Sequence, residues 1–161
     1  DYIEHLTDFS DKSYNEYDFY HPSVKLREFI WEIFASHYIE IVKARAYNQN
    51  NEFTTQQSNS AKYTLYYLLE RTLILLYPII PQITSLILKE LKINALKMQF
   101  PEAKKGKSDT SLISKIMEFN RLVWKTKKDK NISLREPISN IQIPKDLKPF
   151  EKDLKICHNI L

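Results

Sequence analysis

The sequence predicts a mainly α protein, an antiparallel helical bundle with a small α+β extension at its C-terminal end. Three observations carry that expectation. Apolar residues recur at steps of three and four over long stretches, the spacing of one helix face. Only one glycine, Gly106, occurs in 161 residues, which leaves tight β-hairpins without their usual residue. The chain is 43% hydrophobic, enough for one packed domain without disulfide or metal staples.

The elements follow in order. Residues 1–18 read as the tail of a helix anchored by Ile3, Leu6, Tyr14 and Tyr17; it begins abruptly at Asp1, as in a piece of a longer chain. Pro22 suits a first helical position. From there to Tyr47 the residues Leu26, Phe29, Ile30, Ile33, Phe34, Tyr38, Ile41 and Val42 draw one stripe, with Lys25, Glu28, Glu32, Glu40 and Lys43 opposite. Residues 48–60 are nearly devoid of apolar side chains and read as an exposed loop, with Asn59 or Ser60 opening the next helix. Pro78 should end or kink that helix, and Pro81 sits where another could begin and run to about Leu91. Leu96 to Lys107 reads as a loop. Ser108 or Asp109 would cap a helix running through Ile113, Ile116, Phe119, Leu122 and Val123 into the basic run Lys125, Lys127, Lys128 and Lys130. Ile141-Gln142-Ile143 alternates like a short strand, and Asp146 would cap a final helix. The expected domains are residues 1–101, the bundle, and residues 102–161, a basic helix with the extension.

Composition excludes several functions. No P-loop or dinucleotide fingerprint can be built around a single glycine. Cys157, the only cysteine, rules out a disulfide framework and cysteine-based zinc sites, and fits a reducing compartment such as the cytoplasm. The apolar stretch Leu73–Leu88 is broken by two prolines and is too short for a membrane span. The first twenty residues carry six acids and no apolar run, unlike a signal peptide. His5, His21, His37 and His158 are scattered, and no catalytic grouping emerges from their spacing; His37 reads as a hydrogen-bonded residue at the core edge. No catalytic residue, metal ligand or bound cofactor is expected in this chain.

Charge is unevenly placed. Residues 1–96 hold nine basic and twelve acidic side chains, residues 97–161 fifteen and eight. The C-terminal third therefore suits an anionic partner, although a solvated lysine-rich surface would show the same bias. The densest cluster, Arg121, Trp124, Lys125, Lys127 and Lys128, closes one helix, and Lys43 and Arg45 close another. These seven are the candidate RNA-facing residues, cations on phosphates and one ring for stacking. Tyr38, Phe34, Tyr63, Tyr66 and Phe119 read as core. Trp31 and Trp124 fall beside their stripes, and both read as core more readily than as stacking platforms.

Several segments resemble a known family. WEIFASHYIEIVKARAY (residues 31–47), YTLYYLLERTLILLYPIIPQIT (63–84), Phe100-Pro101, FNRLVWKTKK (119–128) and ISLREP (132–137) are similar to class I valyl-tRNA synthetases, the archaeal type in particular. The prolines of residues 77–84 are shared with isoleucyl and leucyl enzymes, while residues 38–47 point to valyl. The resemblance implies a helical anticodon-binding domain whose first helix lies mostly before Asp1, with tRNA as partner beside the catalytic core of the same chain. It also implies that ATP, with magnesium, binds that core; its HIGH and KMSKS signatures are absent here, so this chain should catalyse nothing alone. The equivalent domain of an isoleucyl or leucyl enzyme, and a basic helical protein-interaction module, are the alternatives.

Overall fold

A computed structural model describes residues 2–104 and 110–161. The expected helix caps Ser108 and Asp109, and the loop glycine Gly106, lie outside the described residues. The fold is mainly α, as the sequence predicts. Seven α-helices lie among the described residues: α1 (Tyr2–Asn15), α2 (Tyr20–Glu28), α3 (Ile39–Tyr47), α4 (Thr55–Leu76), α5 (Pro81–Glu90), α6 (Ser111–Asp129) and α7 (Glu151–His158). The chain compacts as two units, residues 1–30 with 63–109 and residues 31–62 with 110–161.

The first unit buries Ile3 and Leu6 of α1, Leu26 of α2, Leu73 and Leu75 of α4 and Leu88 of α5. Tyr14 donates its hydroxyl to the Leu75 carbonyl at 2.8 Å, and burial pushes that phenol up to about 12. Pro22 stands third in α2 rather than first; the whole first turn lacks N–H acceptors, so proline is tolerated there too. Pro78 and Pro81 act as expected. Helix α4 stops at Leu76, and Pro81 takes the first position of α5.

Between α2 and α3 the chain is π-helical, over Phe29–Tyr38. Ser36 Oγ donates to the Trp31 carbonyl at 2.6 Å, five residues back. Wider turns rotate every following residue out of the 3.6 phase. His37 thereby becomes buried, Ile33 and Phe34 are only half-buried, and Trp31, expected in the core, is 71% exposed.

Helix α4 begins at Thr55, five residues ahead of Ser60. The cause is a capping box: Thr54 Oγ1 accepts from the Gln57 N–H, and Gln57 Oε1 accepts from the Thr54 N–H. The loop before it is short and not wholly exposed, since Phe53 is buried and Asn48 holds both its N–H and its carbonyl. Tyr63 and Tyr66, expected in the core, are exposed, because the buried face of α4 runs through Ala61, Thr72, Leu73 and Leu75.

The second unit has its core in Phe119 and Val123 of α6, Leu154 of α7, and Ile138, Ile143, Leu147 and Ile160 outside the α-helices. No β-strand forms among the described residues, and the α+β extension is not seen. Residues 141–143 form no strand, and an isolated parallel β-bridge joins Ile138 to Ile160. Asp146 caps nothing: it lies in a 3-10 turn, Lys145–Phe150, and pairs with Lys115 at 2.5 Å.

Asparagine replaces the missing glycines. Asn48, Asn51, Asn131, Asn140 and Asn159 adopt positive φ, where asparagine is tolerated best after glycine. At the end of α6, Asn131 completes a Schellman closure: Ile132 N–H bonds to the Lys127 carbonyl, and Asn131 N–H to that of Lys128. This folds residues 132–136 back against the last turns of α6.

Candidate nucleic-acid interface

Helix α6 carries two stripes. Phe119, Asn120, Val123 and Lys127 are buried, while Arg121, Lys125 and Lys128 are exposed and Trp124 is half-buried. Arg121, Trp124, Lys125 and Lys128 follow helical spacing and so share one face. The three cations have no ion-pair partner among the described residues.

Lys127 belongs to the other stripe and is withdrawn from any RNA contact. Its side chain is fully buried, and Nζ donates to the carbonyls of Leu134, Glu136 and His158 at 2.8, 2.7 and 2.7 Å. An ammonium has three protons, and all three are used. Burial pushes its pKa down. The signal was present in the spacing, because Lys127 falls four residues after Val123, on the apolar stripe rather than beside it.

Arg45 is likewise committed. Its guanidinium grips Asp153 of α7 through two bonds, Nε to Oδ1 at 2.8 Å and Nη2 to Oδ2, and it lies over the Phe53 ring at 5.2 Å. Such a fork leaves little for a phosphate. Lys43 is exposed and pairs with Glu40 one turn earlier. It borders a separate depression with Tyr47 and Asn48.

Trp124 stacks one face on His37, centroids 5.2 Å apart, and meets His158 edge-on at 6.0 Å. Both histidines are tied through Asn120. Asn120 Nδ2 donates to His37 Nδ1 at 3.0 Å, and His158 Nε2 donates to Asn120 Oδ1 at 2.7 Å. Sequence spacing left these histidines unconnected, whereas the fold joins them across 83 and 38 residues. Burial, then the charge of Arg121, lowers the His37 pKa; burial brings His158 down to about 4. Both rings are therefore neutral near neutral pH. Through Trp124 they support the back of the basic face.

On the outer side, Trp124, Lys125 and Lys128 form one wall of an open groove of about 570 Å³, and Ile132, Ser133 and Leu134 form the other. The lining is mostly apolar, and Lys125 and Lys128 contribute to it. Among the described residues no three His, Cys, Asp or Glu side chains gather as metal ligands, and no helix is long and apolar enough to cross a membrane.

The family described as "Anticodon-binding domain of tRNA ligase" matches residues 2–143. A valine–tRNA ligase of Aeropyrum pernix is 33% identical, covering 92% of this chain and 19% of its own length. That of Pyrobaculum aerophilum is 34% identical with the same coverage, and that of Nanoarchaeum equitans 34% over 99% of this chain and 20% of its own. The chain spans about one fifth of the length of the curated relatives it matches.

Proposed function

Since the chain belongs to the family of anticodon-binding domains of tRNA ligases, we propose that it holds the anticodon stem-loop of a valine-accepting tRNA within a valine–tRNA ligase. Valine rather than isoleucine or leucine follows from the names its relatives carry. ATP and valine would be handled by the catalytic core of the same chain. The single glycine of the sequence, Gly106, cannot build a phosphate loop. The working compartment is the cytoplasm, where the tRNA is.

One observation carries the reading at the level of residues: the exposed, unpaired row Arg121, Lys125 and Lys128 on α6, with Lys43 on α3 as a lesser contributor. Cations of this kind fix an RNA by its phosphates and add no sequence information. Each neutralised phosphate releases counterions, so affinity must fall as salt rises.

The test is a fluorescence-anisotropy titration of valine tRNA at several salt concentrations. Replacing Arg121, Lys125 and Lys128 together by alanine should weaken binding and reduce the logarithmic salt slope by about 2–3, from roughly 0.7–0.9 per contact. Helicity should be unchanged, because the three side chains are exposed. Equal slopes for both proteins would overturn the assignment of these residues.

A further inference from the structure

We propose that the groove between α6 and residues 132–134 receives a single unpaired nucleobase of the bound RNA, laid against Trp124 and Leu134 with its flanking phosphates on Lys125 and Lys128. The inference rests on the RNA-binding reading above and adds a site to it.

The local sequence builds this groove step by step. Asn131 takes positive φ and closes α6, so Ile132 turns back along the helix. Ser133 and Glu136 then close a turn on themselves: the Glu136 N–H bonds to the Ser133 carbonyl at 3.0 Å, and Glu136 Oε2 accepts from the Ser133 N–H at 3.2 Å. Lys127 fastens that turn from beneath, through the carbonyls of Leu134 and Glu136. Leu134 is left 57% exposed, facing the groove it shares with Trp124.

The chemistry of the walls selects the occupant. His37 and His158 brace the indole from behind, so Trp124 keeps a fixed pose before anything binds. A rigid aromatic and an aliphatic side chain, open to solvent, suit a flat, weakly hydrated ring. Two exposed lysines in the same wall, Lys125 and Lys128, without an ion-pair partner among the described residues, suit that ring only if it carries negative charge on either side. A nucleotide in a single-stranded loop meets both requirements, and unstacked loop bases are what proteins splay out of RNA. An apolar peptide side chain would satisfy the floor and leave the lysines without partners.

The experiment uses the Trp31→Phe protein, in which Trp124 is the sole tryptophan, and the anticodon stem-loop of valine tRNA as probe. Trp124 emission should be quenched on binding and saturate together with the anisotropy of the labelled RNA. Stem-loops bearing one abasic nucleotide at each loop position in turn should reveal one position whose loss weakens binding roughly 5- to 150-fold. That penalty should shrink in Leu134→Ala and in Trp124→Leu, because the base has lost its wall. Leu134→Ala keeps the test valid if loss of the indole disturbs the fold. Salt-dependent binding without quenching, and with abasic penalties identical in wild type and Leu134→Ala, would overturn the groove and leave the phosphate reading standing. Absence of salt-dependent binding would overturn both.

Discussion

The Nζ of Lys127 donates to the main-chain carbonyl of His158 at 2.7 Å, joining the last turn of α6 to the last turn of α7. Two further carbonyls complete the ammonium's shell, so this lysine of a basic run is a fastener inside the unit. Replacing it by methionine removes the donor and strands three inward-facing carbonyls. Lys127→Met should cost about 3–5 kcal/mol, as loss of one partner of a buried charge does. Lys128→Met, one residue on and exposed, should change stability by no more than about 0.5 kcal/mol. Urea denaturation followed by circular dichroism compares the two.

The His158 imidazole is held down at about 4 by burial first, with Lys127 and His37 adding to it. In the unfolded chain it would titrate near 6.5, so over that window the unfolded state binds the extra proton. Stability should therefore be complete above pH 6.5 and fall as pH drops from there toward 4, by roughly 3 kcal/mol in all. His37, also lowered, acts in the same direction. His158→Gln should flatten the dependence while keeping a donor for Asn120. Urea midpoints across this window test it.

Arg45 and Asp153 should behave as a structural pair. Asp153 is almost fully buried and would lose its guanidinium partner in Arg45→Ala. The expected cost is about 2–4 kcal/mol, with the salt slope of RNA binding unchanged in whatever folded protein remains. A lowered slope at unchanged stability would mean that the guanidinium serves the RNA instead.

Helix phase separates Leu73 from Ile33. Leu73 is 4% exposed in α4, whereas Ile33 is half-buried in the π-helical turn. Leu73→Ala should cost about 2–5 kcal/mol and Ile33→Ala less than about 1.5. Thermal unfolding of both variants checks the order, and comparable losses would contradict the π-helical phase.

Much of the fold was legible because its signals are local. Pro78 and Pro81 lack the N–H a helix interior needs, so any fold must break there. The apolar stripe of α6 named Phe119 and Val123 as core, and both are. The capping box Thr54-x-x-Gln57 was equally local but was hidden in a polar segment that resembles a loop. The strand expected at residues 141–143 failed for a different reason: alternation suits a strand only where a partner edge exists, and the described residues pair none with it.

The candidate site divides along the same line. By itself the sequence determined where cations accumulate, since charge is a property of residue type, and it placed Arg121, Lys125 and Lys128 on one helical face through a fixed 3.6-residue period. Only the tertiary structure decided which cations face solvent. Three carbonyls brought together from residues 134, 136 and 158 claimed Lys127, and a carboxylate 108 residues away claimed Arg45. Burial of a charge depends on partners distant along the chain, because desolvation is tolerated only where every donor finds an acceptor. The groove beside Trp124 is of this second kind: its far wall exists only because Asn131 turns the chain back and Lys127 holds it there.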